Sequence, residues 1–202
     1  GMWMRYLPHI TKLRELLSNN IIGNIESIYA CHGQNLRWSD NPRLWTKELG
    51  GGALLDLGIY VVSFCHMVAG SPDEIIASSI FTKQGVDSKT SMIFKYNNGL
   101  IANLSCSMYD SQPNRAIISG SDGYIEVDHT FYAPTTIRLY KNDQEMVEYK
   151  NDYDGHGLRQ QAIYMEKCVS DKKLESNKMT HKDTLEVMKI MDEVRRKTGL
   201  KF

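Results

Sequence analysis

The chain has 202 residues, with 24 basic and 24 acidic side chains and no formal net charge. That length suits one domain able to bury roughly 70% of its unfolded surface, so no metal or disulfide is needed for folding. Apolar residues at 42% and aromatics at 9% exclude a disordered chain, and the neutral balance speaks against nucleic acid or an anionic membrane as the main partner.

No apolar run reaches the roughly 18 residues of a membrane span. The longest, residues 50–68, is interrupted by Asp56, Ser63 and His66. The first residues lack the basic–apolar–small pattern of a secretory leader. Cys31, Cys65, Cys106 and Cys168 lie far apart with no C-x-x-C pair. That spacing fits buried thiols in a reduced, cytoplasmic protein better than a disulfide framework or a zinc site. Gly1-Met2-Trp3 runs straight into a helical pattern, the opening expected of a fragment or truncated gene product.

Trp3, Tyr6, Leu7, Ile10, Leu13 and Leu17 recur at three- and four-residue steps and predict an amphipathic helix. Pro8 places its regular start, and Asn19, Asn20 and Gly23 end it. Residues 25–33 alternate and are rich in β-branched and aromatic side chains, which predicts a strand. Residues 34–49 show no period and read as a long ordered loop, a feature of functional regions in compact domains. Gly50-Gly51-Gly52 then opens a helix over residues 53–68 that is apolar all round and therefore buried.

Beyond Gly70-Ser71-Pro72 the pattern turns to strands, at residues 74–82, 90–96, 100–108, 115–120, 124–128, 136–140 and 146–149. Asn97-Asn98-Gly99, Ser121-Asp122-Gly123 and Asn142-Asp143 mark three hairpins and predict an antiparallel meander. Helical spacing returns at Leu158, Ala162, Met165 and Val169. A last helix opens on the capping box Thr180-x-x-Asp183 and closes on Arg195, Arg196, Lys197 and Gly199. Elements segregated in this way predict one α+β domain over residues 1–202, an antiparallel-rich open sheet with helices on one face. There is no G-x-G-x-x-G between a strand and a helix, no P-loop, and no H-E-x-x-H or G-x-S-x-G.

The stretch from Gly50 to Tyr60 carries the chemistry. Asp56 and Tyr60 are four apart, which places them on one face of a helix, and they are the polar groups of an otherwise apolar segment. A carboxylate that orients a phenol suits general acid–base work, and the glycines allow close approach of a ligand or of another backbone. A bland reading competes: Asp56 in the first turn favours the helix dipole, and Tyr60 is a core aromatic. Arg37, Trp38, Arg43 and Trp45 precede the motif and are candidates to line a substrate cleft, with a solvated or packing role as the alternative. His156, between two glycines at a helix start, is a further candidate ligand contact. His66 follows Cys65 in the buried helix and is not expected to be a ligand, and His32 and His129, in or beside strands, have no partner at metal-ligand spacing.

The run G-G-G-A-L-L-D-L-G-x-Y, preceded by Met2-Trp3-x-Arg5-Tyr6-Leu7-Pro8, resembles the glucose–fructose oxidoreductase, inositol dehydrogenase and MocA family, in its dihydrodiol dehydrogenase-like branch. Phe131-Tyr132-Ala133-Pro134, Gly155-His156-Gly157-Leu158 and Met191-Asp192-Glu193-Val194-Arg195-Arg196 extend the resemblance over the chain from Met2 onward. It implies the family's C-terminal domain, with the N-terminal Rossmann domain and its active-site lysine absent. It implies Tyr60 as the proton-transferring residue and Asp56 as the family's acidic residue. The reaction implied is reversible oxidation of a secondary alcohol of a sugar, polyol or dihydrodiol, with hydride passing to or from NAD or NADP. A free phenol holds its proton to about pH 10, so the missing lysine matters. The fragment is expected to be inactive alone, to bind no cofactor tightly, and to form a homodimer or tetramer through its sheet. The alternative, from a different class, is a stand-alone binding or assembly module without catalysis.

Overall fold

The computed structural model describes residues 1–201. A 3₁₀ turn at Trp3–Tyr6 leads into α1 (Pro8–Ser18), with Pro8 at its first position, where a missing N–H costs nothing. β1 (Ile25–Gly33) follows. The predicted loop at residues 34–49 contains two short helical pieces, α2 (Pro42–Trp45) and a 3₁₀ turn at Lys47–Leu49. The buried helix begins as a π turn at Leu54–Gly58 and continues as α3 (Ile59–Ala69).

Seven strands come next: β2 (Glu74–Phe81), β3 (Asp87–Lys95), β4 (Ile101–Ser107), β5 (Ala116–Gly120), β6 (Gly123–Val127), β7 (Ile137–Lys141) and β8 (Val147–Tyr149). The chain closes with α4 (Arg159–Ser170) and α5 (His181–Thr198). α5 carries the predicted capping box and ends on left-handed Gly199. All four cysteines are buried and free.

The eight strands form one open sheet in the order β2-β3-β4-β1-β5-β6-β7-β8. The hairpins fall where the Asn, Asp and Gly turns place them. The expected meander is nevertheless interrupted: β1 lies at the centre, parallel to β4 (Ser27 opposite Ile101, Gly33 opposite Ser107) and antiparallel to β5. This pairing joins residues about 75 apart and leaves no turn signal in the sequence. The sheet is therefore mixed.

Alternation along the strands divides the sheet into two faces. Phe94, Leu104, Ile118 and Ile125 turn inward and pack with Ile10 and Leu13 of α1, Val61 and Phe64 of α3, and Ile190 and Val194 of α5. Tyr29, Ile76, Ile93, Ile101 and Tyr124 turn outward and are exposed. α4 has the predicted spacing but lies at the margin, against the Trp3–Tyr6 turn through the Tyr6 and Tyr164 rings at 5.3 Å. With no sheet behind it, Leu158, Met165 and Val169 are exposed and only Cys168 of the helix is buried.

The segment Lys47–Ala69 is, by length and composition alone, long and apolar enough to cross a membrane, contrary to the sequence expectation. Here it supplies the core helix, and most of its apolar window is buried. The polar residues that interrupt it are all paired. Asp56 meets Arg43. Ser63 and His66 meet Arg5, which is 2% exposed: its guanidinium donates to the Ser63 carbonyl at 3.2 Å and to His66 Nδ1 at 3.1 Å. Because arginine can only donate, His66 carries its own proton on Nε2, 2.9 Å from Glu186. Asp183 of the α5 cap lies 3.5 Å from Arg5 and completes the cluster. One buried cation thus joins the first turn, the core helix and the last helix.

The glycine triplet has a packing reason. A Cβ on Gly51 would lie 2.6 Å from the Arg43 and Leu44 carbonyls, and one on Gly52 would lie 2.3 Å from Asp87 Oδ1. Gly52 also has φ +107°. Gly99, in the β3–β4 turn, has φ +94° with nothing within 4 Å. Gly99→Ala is expected to cost about 1–2 kcal/mol from backbone strain alone. Gly52→Ala adds overpacking and is expected to cost about 1–3 kcal/mol more. Urea denaturation of both variants checks the difference, and equal losses would contradict it.

Two imidazoles are buried without an ion-pair partner. Burial pushes His9 and His32 down to about 4. His9 Nε2 donates to the Phe131 carbonyl at 3.0 Å, and its Nδ1 has no partner. Between pH 6.5 and 4 the unfolded chain binds protons that these folded imidazoles refuse, so they lower stability as the pH falls through that window. The loss expected for His9 is on the order of 2–3 kcal/mol. Asp87, whose carboxyl is raised by burial, acts in the opposite direction. The contrast between wild type and His9→Gln isolates the imidazole: the urea midpoint of the variant should fall less between pH 7 and pH 4.5. Parallel pH profiles would show that His9 does not titrate as described.

Candidate functional site

The site forms at the head of the core helix. Asp87, on β3, accepts from the Leu54 N–H at 2.8 Å and so caps the π turn; Thr90 donates to the same oxygen at 2.7 Å. On the other side of the turn, His32 Nδ1 lies 3.2 Å from the Leu57 carbonyl. A carbonyl only accepts, so Nδ1 carries a proton, and burial, which pushes His32 down to about 4, keeps the ring neutral near pH 7. The turn is thus tied to β3 and β1 at once.

That clamp decides where the two candidate catalytic residues go. In a regular α-helix, residues four apart share a face; a π turn is wider and breaks that register. Asp56 and Tyr60 accordingly have different surroundings. The Asp56 carboxylate pairs with Arg43 from α2, joining the head of the helix to the loop before it. It makes no hydrogen bond to Tyr60. It is also not the helix cap, a role taken by Asp87.

Tyr60 enters an aromatic cluster. Its hydroxyl accepts from the Trp3 indole N–H at 3.0 Å. Its ring lies edge-on to His32 at 5.3 Å and 5.2 Å from Tyr132. Tyr132 comes from the β6–β7 connection and stacks on His32 at 4.1 Å. Phe131, fully buried beside it, packs on Phe64 and is held by His9. The Gln34 amide nitrogen lies 3.1 Å from His32 Nε2 and 3.3 Å from the Tyr132 hydroxyl. Tyr60, Tyr132 and Gln34 are half-buried.

The remaining candidates lie outside this cluster. Arg37 donates to the Tyr109 carbonyl at 2.6 and 3.1 Å and covers the Tyr109 ring at 5.1 Å. Trp45 donates to the Ser39 carbonyl at 3.2 Å and packs near the same ring. Trp38 is exposed. Arg37 and Trp45 fold the loop onto Tyr109 and are not brought to Tyr60. His156 is exposed between two left-handed glycines, next to Gly157, which packs against Leu7 and Pro134.

Sequence reasoning did not find the roles of His32, Gln34, Tyr132 and the Trp3 indole. Trp3 and Tyr60 are 57 positions apart, and Gln34 and Tyr132 are 98 apart. Spacing carries no signal over such distances, although Trp3 and Tyr132 both lie within the motifs that carry the resemblance. Among the described residues, no group of three or more His, Cys, Asp or Glu side chains is placed to hold a metal ion.

Comparisons with known proteins agree with this architecture. Over 209 aligned residues the chain is 32% identical to trans-1,2-dihydrobenzene-1,2-diol dehydrogenase of Danio rerio, covering all of this chain and 62% of that protein. It is also 32% identical to the Xenopus tropicalis protein of the same name, covering 63% of it. The chain therefore spans less than two thirds of these relatives' length. A 3-ketoreductase from Actinomadura kijaniata, solved with NADP and TDP-benzene, superposes with a TM-score of 0.83 at 18% identity, over 98% of this chain and 61% of that one. An aldose–aldose oxidoreductase from Caulobacter crescentus, solved with glycerol, gives 0.81 at 17% identity, over 98% and 61%. At such identities the likeness shows the fold. Residues 10–126 match the GFO/IDH/MocA C-terminal domain. The mixed open sheet, the helices on its inner face and this match establish that the chain belongs to the GFO/IDH/MocA oxidoreductase family.

Proposed function

We propose that this chain is the substrate-binding and oligomerisation domain of an NAD- or NADP-dependent oxidoreductase acting on a secondary alcohol of a sugar, polyol or dihydrodiol. The observation that carries the reading is the state of the Tyr60 hydroxyl. Its oxygen takes one hydrogen bond, from Trp3, and among the described residues no acceptor takes its proton. A half-buried phenol held on one side and unused on the other is arranged to exchange a proton with a ligand. The names of the curated relatives point to the same substrate class.

The described residues do not fit the dinucleotide itself. A pyrophosphate needs a glycine-rich turn between strand and helix, with room against the backbone. The glycines at 50–52 precede a helix, but the space at Gly51 and Gly52 is filled by the Arg43 and Leu44 carbonyls and by Asp87. On this reading the cofactor is held by another domain, as expected if the whole protein has the length of the relatives. The chain's own part is to bind the alcohol, orient it and move its proton at Tyr60 Oη. Asp56 acts through Arg43, holding the loop that carries Arg37, Trp38 and Trp45 against the head of the helix. His156, in the β8–α4 connection beside Gly157, is the remaining candidate substrate contact of this reading.

The outward sheet face supports self-association. Tyr29, Ile76 and Ile93 line a shallow cavity of about 400 Å³ on this face, and Ile101 is exposed on the same face. Contiguous apolar surface of this kind marks an interaction site. Multi-angle light scattering at micromolar concentration should report a dimer or tetramer, and Ile93→Lys with Ile101→Glu should produce monomers. A wild-type monomer would contradict the pairing.

Catalysis is tested in the enzyme that joins this chain to its nicotinamide-binding domain. Tyr60→Phe keeps the ring and removes the exchangeable proton, so kcat should fall about 10²–10⁴-fold with little change in cofactor affinity. Asp56→Asn should lower kcat less, and its effect should not add to that of Arg43→Met. If Tyr60 is instead a core aromatic in an assembly module, Tyr60→Phe lowers the melting temperature and leaves turnover near normal.

A further inference from the structure

The apolar stripe of α4 faces away from the protein. Leu158, Ala162, Met165 and Val169 recur at steps of three and four, which at 3.6 residues per turn puts them within about 60° of one another around the helix. A surface helix turns such a stripe to the core. In α4 the packed side is instead Gln161, Tyr164 and Cys168, and all four stripe residues are exposed, Leu158 by 54% and Val169 by 73%. The helix is nevertheless held in place. Tyr164 packs on Tyr6 at 5.3 Å. A Cβ on Gly157 would lie 2.4 Å from Leu7 Cδ2 and 3.1 Å from Pro134 Cγ, so α4 starts against the entry to α1 and against the segment two residues beyond Tyr132.

The position of α4 says what covers it. Tyr60 takes its hydrogen bond from Trp3, in the turn that α4 packs against, and α4 starts beside the Tyr132 segment. Hydride transfer needs the nicotinamide within about 3–3.5 Å of the carbon that carries the alcohol. A domain that delivers the dinucleotide to Tyr60 therefore has to close over the rim these elements form. The relatives are long enough to supply one, since this chain covers 62% of the Danio rerio protein. A second copy paired through the outward sheet face leaves the stripe uncovered, because α4 packs on the Trp3–Tyr6 turn, in the helical layer. Arg159 and Glu166 are exposed along the solvent side of the stripe and give it the polar rim of an interface. We propose that the α4 stripe is the docking surface for the nicotinamide-binding domain of the same enzyme. The inference rests on the reading that another domain holds the cofactor.

Met165 reports on the stripe, because hydroxyl radicals oxidise an accessible thioether to the sulfoxide, which mass spectrometry reads. In the chain alone Met165 is 42% exposed and should be oxidised readily. In the complete enzyme it should lose that reactivity, at every enzyme concentration. Leu158→Asp with Val169→Glu should restore oxidation there and lower kcat/KM, because charge is disfavoured at the centre of an interface. The urea midpoint of the chain alone should not fall with these changes, since both positions are exposed on it. Equal oxidation of Met165 in the chain and in the complete enzyme would overturn the docking surface. So would protection that disappears on dilution, the mark of a second copy. Saturable binding of NADH or NADPH to the chain alone, followed by tryptophan fluorescence, would defeat the reading of a separate cofactor domain and the docking inference with it. Footprinting needs no substrate, so a protected Met165 beside normal turnover of Tyr60→Phe would defeat the Tyr60 reading and support the docking surface.

Discussion

The head of the buried helix is held from two sides, by the Asp87 carboxylate on the Leu54 N–H and by the His32 imidazole on the Leu57 carbonyl. Both partners come from strands, so the turn between them is fixed relative to the sheet. Within that constraint the helix opens as a π turn, and the wider turn separates Asp56 from Tyr60. One meets Arg43 and the loop; the other enters the aromatic cluster with Trp3, His32 and Tyr132. Each group in the clamp is buried and would be left unsatisfied if its partner were lost, which makes the arrangement hard to deform.

Behind the clamp, Arg5 joins the first turn to α3 and α5. A buried guanidinium is tolerated because it is paired and hydrogen-bonded on several sides, by Ser63, His66 and Asp183. The Trp3–Tyr6 turn is thereby locked beside the core helix. That lock gives the Trp3 indole a fixed address over Tyr60, two residues from the arginine that anchors the turn. Stability and site geometry share the same few residues, so a substitution at Arg5 would disturb both.

Much of the fold was legible locally. β1 spans the residues its alternation predicts, the three hairpins lie at their Asn, Asp and Gly turns, and Thr180 and Asp183 form the box that starts α5. These features depend on neighbours in sequence. The parallel pairing of β1 with β4, the π register at Leu54–Gly58 and the outward apolar face of α4 depend on distant partners or on what lies behind an element. The site divides the same way. Tyr60 was visible in its motif, but the one-face relation to Asp56 assumed α-helical geometry that Asp87 and His32 override. Gln34 carries no local mark, and Tyr132 is marked only by the motif that carries the resemblance.

In the proposed function this clamp presents the Tyr60 hydroxyl to an alcohol. A crystal structure of the complete enzyme with a nicotinamide cofactor and a non-reacting secondary alcohol analogue tests it most directly. The account predicts the ligand oxygen within hydrogen-bond distance of Tyr60 Oη, with the Trp3 indole bond to that phenol retained. An alcohol bound elsewhere, with the Tyr60 hydroxyl shut off from it, would contradict the account.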